Sequence, residues 1–160
     1  MSFINLANFQ WLEATWLGTA VRQSLWLFPV IECIHLLALS LLGGAVLVVD
    51  MRLLGIGLKN QPTPELTHKV HPWLIGALLT SIVTGILMFL SEAVKCYYSP
   101  PFWYKMTALI LATAFALTWR KKVATSDPGR ISPLLVKLTA VVSVALWFGV
   151  AFSGRWIAFY

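Results

Sequence analysis

The sequence predicts an all-α fold, an integral membrane four-helix bundle preceded by an N-terminal interfacial amphipathic helix. Three observations carry that expectation. Hydrophobic residues make up 59% of the 160-residue chain and charged ones 11%, with a mean hydropathy of +0.79, too apolar for the surface of a soluble domain. Apolar runs of about 20 residues recur along the chain, the length an α-helix needs to cross a hydrocarbon core of about 30 Å. Trp26, Trp73, Trp103, Tyr104, Trp119, Trp156 and Tyr160 fall at the ends of those runs, where amphipathic rings sit at a membrane–water boundary. Spans of this length with short loops suit one compact domain over residues 1–160.

Before the first span, Phe9, Leu12, Trp16 and Ala20 recur at helical spacing with Gln10 and Glu13 off that stripe, so residues 6–22 are expected to lie along the outer surface. The first span covers about 26–49, and its apolar pattern continues to Leu58 before Asn60–Pro64 ends it. Thr63-Pro64-Glu65 reads as an N-cap with Pro at the first helical position, opening a short interfacial helix that carries His68 and His71. Pro72 begins the second span, 72–93. A polar, aromatic loop precedes the third, 102–119; Arg120-Lys121-Lys122 and the turn signal Ser126-Asp127-Pro128-Gly129 precede the fourth, 133–156. Small residues let helices approach in lipid. Ala108, Ala112 and Ala116, then Ala145, Gly149 and Ser153, and Ser81 with Gly85 form such ridges and are expected to close the bundle.

The formal charge of +6 does not point to nucleic acid, because Lys and Arg sit beside apolar segments instead of forming a basic stripe. They read as topology signals. Arg52, Lys59 and Lys69 flank the first loop and Arg120, Lys121, Lys122, Arg130 and Lys137 the third, against Arg22, Lys95, Lys105 and Arg155 on the other face. The expected location is a bacterial inner membrane, multi-pass, with both termini periplasmic. Met1–Gln10 holds no basic residue, so the n-region of a cleavable signal is missing and the first span is expected to be retained. Cys33 and Cys96 are too sparse for a disulfide framework; they are expected to be unpaired unless both lie near an oxidising face. No phosphate loop, nucleophile elbow, HExxH or paired-carboxylate motif supports a hydrolase or kinase.

His35 lies within the apolar run Leu25–Val49, where an ionisable group is costly unless the interior uses it. At 100° per residue Glu32, His35, Leu39, Leu42, Val46 and Asp50 share one side of the first span, which should turn inward. An imidazole there either ligates haem iron or copper, relays protons, or is satisfied by Glu32 or a neighbouring Ser or Thr. Met88, on a span running the other way, arrives within one or two turns of the depth of His35, which makes a His/Met site easier than one with His71 at the opposite end of the second span. Met88 is equally a packing residue. Lys105 either pairs with a haem propionate, Glu32 or Glu92, or snorkels to the interface. Asp50 and Arg52 point to different faces, Arg52 toward headgroups and Asp50 into the bundle. His68 and His71, three apart, suit a second metal or haem, or simple interfacial solvation.

Pro29-Val30-Ile31-Glu32-Cys33-Ile34-His35, Gly43-Gly44 and Asp50-Met51-Arg52-Leu53-Leu54-Gly55, with Pro72, Thr84-Gly85 and Phe102-Trp103-Tyr104-Lys105-Met106, resemble a family of small bacterial membrane proteins of unknown function. More distantly the layout is similar to the copper-resistance D proteins and the membrane-bound protoporphyrinogen oxidase of haem synthesis. In that oxidase a first-span histidine, an arginine at the span's inner end and a lysine opening a later span recur; His35, Arg52 and Lys105 stand in those places. The oxidase holds b-type haem through its histidine, which implies His35 as an axial ligand. Asp50 stands where the oxidase's Pro-Arg motif would begin and an N-terminal segment is added, so the enzymatic activity is not carried over.

The expectation is a b-type haem protein of the lipid bilayer, with His35 on the iron, Met88 or His71 as second ligand and Lys105, Glu32 and Arg52 around the cofactor. It would act in electron transfer, or as a redox subunit alongside other membrane subunits or in a homo-oligomer. Two rivals stay open. One is a cofactor-free accessory or assembly subunit; the other is a copper or proton transport element using His35, Met88 and Met106.

Overall fold

The computed structural model describes residues 5–57, 60–126, 129–157 and 159, and no strand occurs among them. Tyr160, Lys59, Leu58, Asp127 and Pro128, used above for the aromatic belt, loop charge, helix end and turn, lie outside the described residues. The elements are α1 (Leu6–Glu13), α2 (Trp16–Gln23), α3 (Leu27–Leu54), α4 (Thr63–Ser91), α5 (Ala93–Tyr98), α6 (Pro100–Phe115), a π turn (Ala116–Arg120), α7 (Lys121–Thr125) and α8 (Pro133–Ile157). Three of them, α3, α4 and α8, are long and apolar enough to cross a membrane.

Helix α3 stops at Gly55, whose φ of 77° is the left-handed cap that glycine adopts without strain, and so ends before the Leu58 its apolar pattern reaches. Arg52 then bridges the turn, its Nε donating to the Gln61 carbonyl at 2.7 Å. Helix α4 corrects the expected two-piece reading, because Pro72 lies inside one continuous helix. Proline removes one backbone donor and normally kinks a helix. Here Val70 and Leu74, on either side of it, pack against the same core of Leu42, Ala45, Val46, Ala77 and Leu78, which keeps the two halves in line. The segment 100–125 stays helical through the π turn, with Ala116 at φ −64°, ψ −43° and Lys121 at φ −58°, ψ −47°.

The helices pack in the order α4, α3, α8, α6, with α7 returning to α4 at one end. Along most of their length α4 and α6 stand apart. Aromatic rings bridge them only near α5, where Phe89 and Phe102 stack with centroids 5.4 Å apart. The end bearing α1, α2 and α5 is the upper end, and that bearing the α3–α4 turn and α7 is the lower end.

The amphipathic segment differs from expectation. It forms two helices broken at Ala14, with Thr15 Oγ1 accepting from the Gly18 amide as the cap of α2. They dock on α4 and α5. Gly18 approaches Leu90 so closely that an added Cβ would stand 2.5 Å from its carbonyl oxygen. Phe9 is buried with its ring 5.0 Å from Tyr97 and 5.8 Å from Phe89, whereas Trp16, on the same predicted stripe, is 81% exposed. Glu13 ties the segment down, pairing with Arg22 and accepting from the Val94 amide at 2.8 Å in the first turn of α5.

Candidate functional site

The inward side of α3 is the predicted one for His35, Leu42, Val46 and Asp50, all buried. Glu32 is the exception. It is exposed, because it stands 60° around the helix from His35 and only five residues into it. The group that meets His35 comes from α4 instead. Nδ1 lies 2.8 Å from Thr84 Oγ1, and that hydroxyl donates its own proton to the Thr80 carbonyl at 2.7 Å. A hydroxyl whose proton is already committed can only accept, so Nδ1 carries the ring hydrogen and Nε2 carries the lone pair. The Ser81 backbone lies within hydrogen-bonding reach of the same ring.

Two glycines shape this upper site. A Cβ at Gly85 would meet His35 Cε1 at 3.3 Å, and one at Gly154 would meet Lys105 Cε at 3.5 Å. Lys105 therefore lies along α8, within electrostatic reach of His35, and its ammonium forms no ion pair among the described residues. Neither expected carboxylate reaches it, since Glu32 is exposed and Glu92 is 3.9 Å from Lys95. Met88 is half-buried one turn above Thr84.

The structure does not bring the other predicted residues here. His71 is thirteen residues below Thr84 on α4, about 20 Å along a helix, which places it at the lower end. Arg52 is held there too, on Gln61. His68 is exposed, and no group of three or more His, Cys, Asp or Glu able to hold a metal ion occurs among the described residues. Met106 is 38% exposed. Cys33 and Cys96 are free; burial, and then the Glu92 charge, push the Cys96 thiol up to about 11.

The lower end holds a polar cluster that the sequence reading assigned to topology. Arg120 is 3% exposed; its Nε donates to Asp50 Oδ1 at 2.6 Å and its Nη2 to the Val46 carbonyl at 2.9 Å. Asp50 itself is wholly buried. A signal for this was present, because Ala108, Ala112, Ala116 and Arg120 continue one series at intervals of four. In a regular helix that spacing drifts about 40° per step and would carry Arg120 off the face. The wider π turn holds one extra residue and brings it back. Of the expected α8 ridge Ser153 is buried and Gly149 half-buried but Ala145 is exposed, and Thr139, Ser143 and Val150 are buried beside them. Trp147, packed on the core beside Val46, also escaped the reading, having been masked by the many boundary tryptophans.

No curated protein and no solved structure matches the chain, so the likeness to the copper-resistance D proteins and the oxidase rests on the residues quoted above. Residues 8–160 match the family of unknown function DUF6644, and the chain belongs to that family.

Proposed function

We propose that this is a b-type haem-binding protein of the bacterial inner membrane, acting in electron transfer or as a redox subunit of a larger complex. The segment 100–125 is its fourth span and its upper end is periplasmic, as the excess of Lys and Arg around the first and third loops favours. The observation that carries the reading is the His35–Thr84 bond. It puts the ring hydrogen on Nδ1 and the lone pair on Nε2, an arrangement typical of metal-bound imidazoles held by an outer partner.

Two further features suit the group. Helices α4 and α6 are not packed on one another along most of their length, and Lys105 supplies an unmatched positive charge for a propionate. His35 would hold the iron, with Met88 the better placed second ligand. Haem bound there supplies one-electron exchange. The protein's own part is to fix the imidazole, hold the carboxylate end and keep apolar walls around the ring.

Protein purified in detergent from cells with ample haem should show a Soret band that His35→Ala abolishes. Thr84→Val should weaken haem affinity roughly 10–100-fold without abolishing it. A colourless wild type overturns the proposal. It would favour the cofactor-free accessory subunit, in which the same hydrogen bond simply satisfies a buried histidine.

A further inference from the structure

The lower cluster contains polar atoms that its ion pair does not use. Asp50 Oδ2, Ser143 Oγ and Trp147 Nε1 are buried without a hydrogen-bond partner. Asp50 and Ser143 are both fully enclosed. Ser143 is a neighbour of the Asp50 carboxylate without a hydrogen bond to it, and Trp147 is one turn along the same face of α8. Native interiors leave few such atoms, and each asks for an explanation in a water, an ion or a function. An ionisable side chain at this depth is costly unless it serves one.

Arg120 fills only one oxygen of the carboxylate. The other has no partner, and the neighbouring Ser143 hydroxyl can donate or accept by rotating. A small shift would let Ser143 donate to the carboxylate when Asp50 is ionised and accept from it when it is protonated. Arg120 keeps Oδ1 in both states. Two protonation states thus share one packing arrangement.

Arg120 also lines a cavity of about 20 Å³ between α4 and the π turn, together with Thr67, His71, Ala116, Leu117 and Lys121 among others. That is room for one water. The charged groups facing the cluster are few. Arg120 contributes from the π turn, His71 from α4 and Lys121 from α7, these two across the cavity, while α8 contributes only the neutral Ser143.

We propose that Asp50, clamped by Arg120 and faced by Ser143, is a proton-binding site in the lower half of the membrane, reached by water from the lower surface past His71 and Lys121. It is independent of the haem reading, since His35 is fifteen residues away on α3 and the fully buried Leu42 and Val46 lie between them.

The chain holds two aspartates, Asp50 and Asp127, so infrared spectroscopy of protein carrying ¹³C-carboxyl aspartate in lipid nanodiscs tests this without altering the cluster. Acidification should raise a protonated-carboxyl band that the isotope shifts, that survives Asp127→Asn, and that moves further on transfer to D₂O. Asp50→Asn, which keeps an oxygen for Arg120, should remove it. No isotope-sensitive band, a band lost with Asp127→Asn alone, or one that D₂O leaves in place each overturns the proposal.

Discussion

The upper and lower halves of the molecule bury polar groups in opposite ways. At the lower end a full negative charge meets a full positive one at 2.6 Å, and a backbone carbonyl takes a second donor of the same guanidinium. At the upper end His35 meets the neutral Thr84 hydroxyl, and Lys105 forms no ion pair among the described residues. Matched charges lock helices together. On the haem proposal, the unmatched one beside Gly154 is what the bound group would complete. The contrast separates an ion pair that ties α3 to the π turn from an upper site whose positive charge has no opposite one among the described residues.

Breaking the lower lock should give the largest effect. Asp50→Leu or Arg120→Met alone strands a buried charge and should cost about 3–5 kcal/mol, whereas the double variant should recover most of it. Unfolding in mixed micelles read as a double-mutant cycle checks this; additive losses would show that the pair is not coupled. Next comes the upper cap. Gly18→Ala drives a methyl into two backbone carbonyls, at 2.5 Å from Leu90 and 2.9 Å from Glu13, and should cost about 1–3 kcal/mol while exposing α1 and α2 to limited proteolysis.

A smaller loss should follow Thr84→Val, which leaves the His35 N–H without its acceptor at a cost of about 1–2 kcal/mol. Gly154→Ala, whose methyl would find ordinary contact with Lys105, should be near neutral and serves as the control. The last test moves no stability. Because the Cys96 thiol is pushed up to about 11, its thiolate is scarce at neutral pH, and alkylation should accelerate steadily as pH rises toward that value. A rate that levels off near pH 8.5 would mean that Cys96 is more open to water than its packing implies.

Much of this was legible in the chain. Period and length placed α3 and α8 within a few residues, and the inward side of α3 followed from the angular spacing of His35, Leu42, Val46 and Asp50. The failures have physical causes. Pro72 read as a helix start because local chemistry favours that, yet packing of Val70 and Leu74 on one core overrode it. A Ser or Thr partner for His35 was among the expectations, but which one was not legible; only the antiparallel register of α3 and α4 brings Thr84 to it. Arg120 looked like one more basic residue at a span end, since its inward turn depends on a backbone irregularity that no residue preference announces.

That irregularity makes the lower half tolerant in one respect and strict in another. If one residue were deleted between Ala116 and Arg120, the remaining chain would close into an ordinary helix in which Arg120 follows Ala108 by eleven places, about 20° from perfect alignment. The guanidinium would still find its carboxylate. A one-residue insertion or deletion in the middle of α3 has no wide turn to absorb it and would swing Asp50 about 100° toward the hydrocarbon, so natural length variation should be found in the first place and not in the second.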